Sequence, residues 1–210
     1  MNCPAAPWWQ MRLNPSGAPQ LGGTNTPAFA ATGGRLQPPF IRNGFLWTCQ
    51  HVGLNSADGT YSGDQTGSSV NRSGIQWWKL QLNSTGTPLT YSASGIVYDR
   101  ATSNPWWYYM PSLAVNWQNA MPLGFSGSST TNYISAFRAG RTADGTLLGN
   151  PIVIQMGTAY YTNDVRWGDY SYTTVDPADN QTFWTIQSFA TNNFPAPGWS
   201  DWLMSVKPGP

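Results

Sequence analysis

Hydrophobic and polar positions alternate along this chain in short runs. No long stretch places apolar residues at i, i+3, i+4 and i+7, so amphipathic helices are not predicted. Runs rich in Trp, Tyr, Ile, Val and Thr recur instead, bounded by Gly, Pro and Asn, which predicts β-strands joined by tight turns. Strands are expected at FLWTCQHVG (45–53), LAVNWQNAMPLGF (113–125) and WGDYSYTTVDP (167–177).

The pattern also repeats. Residues 8–20 read WWQMRLNPSGAPQ and residues 77–89 read WWKLQLNSTGTPL. Looser copies are YISAFRAGRTADGTLLG at 133–149 and TFWTIQSFATNNFPAPGWSDWLMSV at 182–206. Gly17, Gly86 and Gly145 hold the same place in the first three turns, where Gly supplies the positive φ of a tight hairpin. Hairpins are therefore predicted near 8–21, 75–92, 133–149 and 182–206, within one all-β repeat domain spanning 1–210. Three- or four-stranded units at this period predict β-propeller blades, about three and a partial one. A β-sandwich is the alternative fold. Closed propellers typically hold four to eight blades, so either the partial ends complete each other, or the chain belongs to a larger propeller, or two copies close one ring as a homodimer; two-fold self-association is expected. An unpaired strand edge would drive the same self-association.

The segment Arg166-Trp167-Gly168-Asp169-Tyr170-Ser171, then Val175-Asp176-Pro177 and Thr182-Phe183-Trp184, with Trp199 and Trp202 beyond, carries a family likeness. It resembles the C-terminal part of secreted bacterial sialidase-like (BNR-repeat) β-propeller proteins. The resemblance implies a propeller and an extracellular or periplasmic protein, and it implies no particular activity. No secretory signal precedes the first hairpin, so an export signal is expected outside this sequence. The Asp-box of sialidases is only echoed, at Ala57-Asp58-Gly59-Thr60 and Ala143-Asp144-Gly145-Thr146. The Glu that partners a sialidase's Tyr nucleophile has no counterpart, which argues against sialidase chemistry.

Composition narrows the remaining chemistry. Aromatic residues make up 14% of the 210 and net charge is +1, which is not the profile of a disordered chain. The near-neutral charge removes the electrostatic footprint of a nucleic-acid binder. No apolar run approaches the roughly 18 residues of a membrane span. All nine acids are Asp, and His51 is the single imidazole. Multi-His and four-Cys zinc sites are thereby excluded, and no P-loop or dinucleotide fingerprint occurs.

Asp164, Arg166, Asp169 and Tyr170 form the densest group of reactive side chains. Two carboxylates beside an Arg and a Tyr can hold a metal, clamp a carboxylate or do acid–base work. Asp164 and Asp169 are the candidate Ca²⁺ ligands. Equally, Arg166 and Asp169 can pair and only brace a strand. His51 is a candidate general base, or a buried core residue on one strand face with Trp47 and Cys49. Asp58 and Asp64 lie in a Gly/Ser-rich loop that suits Ca²⁺ or plain solvent. Trp47, Trp106, Trp107, Trp117 and Trp167 are candidate platforms for sugar rings; core packing is the competing use of each. Cys3 and Cys49 are either a disulfide or two thiols. Three functions compete: an extracellular module recognising a carbohydrate, a Ca²⁺-dependent propeller hydrolase of small esters, lactones or glycosides, and a structural assembly module. Few groups can be poised near neutral pH, which favours binding over catalysis.

Overall fold

The computed structural model describes residues 17–22, 36–54, 70–83, 90–142, 150–161, 167–168, 171–192 and 198–207. Among these there is no helix, and none long and apolar enough to cross a membrane. Eleven strands form three antiparallel sheets, each a meander in chain order, with no closed barrel. Sheet 1 holds β1 (Phe40–Arg42), β2 (Phe45–Leu54), β3 (Arg72–Gln81) and β4 (Thr90–Val97). Sheet 2 holds β5 (Trp107–Leu113), β6 (Met121–Ser129), β7 (Asn132–Arg141) and β8 (Ile152–Gln155). Sheet 3 holds β9 (Tyr172–Val175), β10 (Phe183–Thr191) and β11 (Gly198–Val206).

The strand-to-turn logic is local. Asn43 and Gly44 join β1 to β2 with φ of 51° and 80°, the double positive φ of a type I′ hairpin turn. The stretch 113–125 is not one strand. It ends β5, turns, and begins β6. The Asn116 side chain accepts from the backbone N–H of Gln118 and Ala120, closing the turn. Asn119 adopts φ 64° there. Asn and Asp stabilise such turns because their short side chains mimic a backbone acceptor.

The sheets stack through their faces. Trp47, Cys49, Ile75, Trp77 and Val97 of sheet 1 pack on Tyr108, Met121, Leu123, Phe125 and Phe137 of sheet 2. Within sheet 2, Tyr108 meets Phe125 edge-on at 5.0 Å and Phe137 at 5.2 Å, and Phe125 stacks on Phe137 at 5.9 Å. The other face of sheet 2 meets sheet 3 through hydroxyls and one amide, and through an apolar cluster that holds Trp107, Tyr109 and Ile134 with Ala190. Gln187 donates to Ser112 Oγ at 3.1 Å and Thr185 Oγ1 at 2.8 Å, and accepts from Ser171 Oγ at 2.7 Å. Ser112 and Thr173 lie 2.8 Å apart in the same network. A third cluster joins all three sheets: Ala114, Ala120 and Phe183, with Phe40, Val175 and Val206 against them.

Adjacent residues of a strand face opposite sides, so one ring of an aromatic pair could face solvent. Instead Trp77 and Trp78 are both buried, as are Trp107, Tyr108 and Tyr109. Both faces of these strands are covered, so alternation sends both rings into protein. Cys49 is a free, buried thiol whose pKa burial pushes up; Cys3 and most of the 8–21 hairpin lie outside the described residues.

Candidate ligand site

The site predicted from Asp164, Arg166, Asp169 and Tyr170 lies outside the described residues, as do Asp58 and Asp64. Among the described residues no group of three or more His, Cys or Asp is arranged to hold a metal ion. His51 is fully buried on β2 opposite Ile75. Burial lowers its pKa to about 4, so it is neutral at neutral pH. It is a core residue, enclosed away from any solvent-borne substrate.

The candidate platforms divide. Trp47, Trp107 and Trp167 are buried, with no open ring face for a ligand. Trp47 belongs to the core between sheets 1 and 2, and Trp107 and Trp167 to a second core cluster. Trp167 is fixed by its indole N–H on Ser126 Oγ at 3.1 Å and by an edge contact with Tyr161. Trp106 is partly buried, 4.8 Å from Phe137. Trp117 alone of the five is mainly open, at 52% exposed.

Trp117 sits where the turns of the three sheets meet. The registers Arg42↔Phe45, Phe45↔Gln81, Met121↔Arg141 and Phe183↔Val206 set the β1–β2 turn, the ends of β3, β7 and β11, and the β5–β6 and β9–β10 turns. Cross-links tie these turns into one rim. Asn43 Nδ2 donates to the Trp117 carbonyl and to Asn119 Oδ1, both at 2.9 Å. Arg42 Nη2 donates to Asn180 Oδ1 at 2.8 Å. Asn43, Asn119 and Asn180 all hold positive φ, a conformation Asn tolerates better than most residues. Asp179 completes the rim. The Thr182 hydroxyl and the N–H groups of Gln181 and Thr182 hold its carboxyl down at about 2.

Two further side chains belong to this end of the fold. Lys79 Nζ lies 3.9 Å above the Phe45 ring and 5.0 Å from that of Trp47. The Arg141 guanidinium lies 4.0 Å above Trp77. Arg42, Asn43, Lys79 and Arg141 are not among the candidates the sequence points to. Asn43-Gly44 was a legible hairpin signal; the cations carried none, because their partners come from other strands.

The rim therefore offers an open indole, several fixed amides and cations seated on aromatic faces. No family model, curated protein or solved structure matches the chain.

Proposed function

We propose that this chain is a propeller-like module that recognises a carbohydrate at the rim, with Trp117 as its stacking platform. One observation carries the reading: a half-exposed indole stands on a turn locked by Asn43, Asn116 and Asn119. An indole face suits the C–H face of a sugar ring, and fixed amides suit its hydroxyls. Preorganised groups lose little freedom on binding. The propeller reading rests on three meanders of three or four strands in chain order, joined by the cluster of Phe40, Ala114, Ala120, Val175, Phe183 and Val206. The resemblance to secreted bacterial propellers points the same way, toward an exported protein.

The test is a panel of neutral and acidic oligosaccharides titrated against intrinsic Trp fluorescence. Binding with a response that disappears in Trp117→Ala, at unchanged melting temperature, is the expected result. An unaltered response in that variant would remove Trp117 from the reading, and silence across the panel would end it.

A second reading, self-assembly, is favoured by sheet 3. Register places Tyr172, Trp184, Ile186 and Leu203 on its face away from sheet 2, with Trp199 beside them, and all five are exposed. Among the described residues β11 pairs only with β10. A second copy of the chain would cover this face, and the two functions are compatible because face and rim are separate.

A further inference from the structure

We infer that Asn43 is a covalent modification site: its side-chain amide is lost as ammonia, with Gly44 as the internal nucleophile, and the acid left behind releases the Trp117 turn. The chemistry stands on the hairpin alone; its consequence for a ligand rests on the rim reading above. Asn43 is the one Asn of this chain that Gly follows. Both residues are exposed, at the positive φ of the β1–β2 turn. A following Gly leaves the attacking nitrogen unhindered, because it carries no Cβ. Arg42 and Phe45 form the pair that closes the hairpin. Gly44 contributes its carbonyl, which accepts from the Leu82 N–H at 2.9 Å and from Gln81 Nε2 at 3.1 Å. Its N–H donates to nothing among the described residues.

The atoms balance without an oxidant or a cofactor. The Gly44 nitrogen bonds to Asn43 Cγ as the Cγ–Nδ2 bond breaks, and Nδ2 leaves as ammonia with the Gly44 proton. Water then opens the cyclic imide, at Cγ to give Asp or at the backbone carbonyl to give isoaspartate. The departing nitrogen is the donor that ties the β1–β2 turn to the β5–β6 turn: it holds the Trp117 carbonyl and Asn119 Oδ1, both at 2.9 Å. A carboxylate only accepts, so it would face two acceptors with no proton between them. Asn119 can turn its amide about; the Trp117 carbonyl has no such freedom. Asp suits the hairpin turn, whereas isoaspartate adds a carbon to the backbone and breaks it. The two hydrogen bonds also restrain the amide that must swing toward Gly44, so the lock slows its own loss. The rim thereby carries a one-way switch from a fixed to a loosened Trp117 turn, and a less preorganised rim binds more weakly.

Peptide mapping by mass spectrometry follows the conversion in the folded chain held at mildly alkaline pH. Fluorine NMR of fluorotryptophan-labelled protein reads the turn, with the Trp117 signal identified by its absence in Trp117→Phe. The expected result is conversion at Asn43, about fivefold faster in Asn119→Gly, which removes one of the two hydrogen bonds and tolerates the positive φ. The converted protein and Asn43→Asp both shift the Trp117 signal and leave those of the buried Trp47 and Trp107 in place. Asn43 intact in the folded chain after a urea-unfolded sample has converted overturns the inference. Conversion with an unmoved Trp117 signal overturns it too. A shifted Trp117 signal with silence across the oligosaccharide panel upholds the modification and ends the carbohydrate reading, so the two fail separately.

Discussion

His51 and Cys49 are buried two positions apart on one face of β2, and burial acts on them in opposite directions. It raises the thiol pKa and lowers the imidazole pKa, because in each case the charged form is the one disfavoured. For His51 the consequence is a pH dependence of stability. Between about 4, its folded value, and 6.5, its unfolded value, the unfolded chain binds more protons than the folded one. Stability therefore rises with pH across that window. The contribution is fully present above 6.5 and is lost as pH falls toward 4, up to about 3 kcal/mol in all. Urea unfolding of wild type and His51→Gln at pH 4.5 and 7.5 checks it: the variant has the flatter profile. Equal slopes would mean that His51 is solvated. The same burial removes this residue from acid–base work, which the sequence alone left open.

At the scale of elements, β6 shows what alternation does and does not reveal. Its sequence MPLGFSGSS places Met121, Leu123 and Phe125 on one face and Gly124, Ser126 and Ser128 on the other. That division was legible in the letters. Which neighbour each face would meet was not. The apolar face meets the aromatics of sheet 1, and the small face meets the hydroxyls of sheet 3. Gly124 is where the approach is closest: a Cβ there would run into the Gln187 amide and the Thr185 hydroxyl. Gly124→Ala should therefore cost about 1–3 kcal/mol by overpacking and by breaking buried hydrogen bonds. Chemical denaturation measures it, and a change within 0.5 kcal/mol, the range of surface substitutions, would contradict the close approach. The rim was illegible for a related reason. Arg42, Asn43, Trp117 and Asn180 stand up to 138 positions apart in hydrogen-bonded pairs, and no local spacing encodes such pairs.

At the scale of the whole molecule, the sheets are unequal. The faces of sheets 1 and 2 that meet each other are buried, whereas sheet 3 exposes the large side chains of one face, and among the described residues β11 has no second strand beside it. Tyr172 is 64% exposed and Leu203 62%. With Trp184, Ile186 and Trp199 they leave on the order of 600 Å² of side chain uncovered, the upper end for a monomer's largest patch. Pairing of β11 with its copy about a two-fold axis would extend that area toward the roughly 800 Å² that each partner of a standard interface buries. Light scattering behind size exclusion should give a mass near twice 23.0 kDa. Leu203→Lys should return the monomer without loss of melting temperature, since the residue is exposed. A monomeric wild type at high micromolar concentration would sink the dimer.

Alternation, turn residues and the near absence of helix periodicity determined by themselves that this chain is all-β and built of short antiparallel meanders. They did so because strand period and turn chemistry are properties of adjacent residues. The stretch 182–206 holds β10 and β11, β4 runs on past 92 to Val97, and Asn116 breaks the expected 113–125 strand through a side-chain cap that hydrophobicity does not register. Tertiary structure decided the fate of each aromatic. Trp47, Trp107 and Trp117 are the same residue type in similar strings, yet the first two are core and the third stands open on the rim. Exposure depends on which sheet covers which face, and that is a property of residues far apart in the chain. The pairing of Lys79 with Arg141 belongs to the same class: two unremarkable cations in the sequence become neighbours only when sheets 1 and 2 stack.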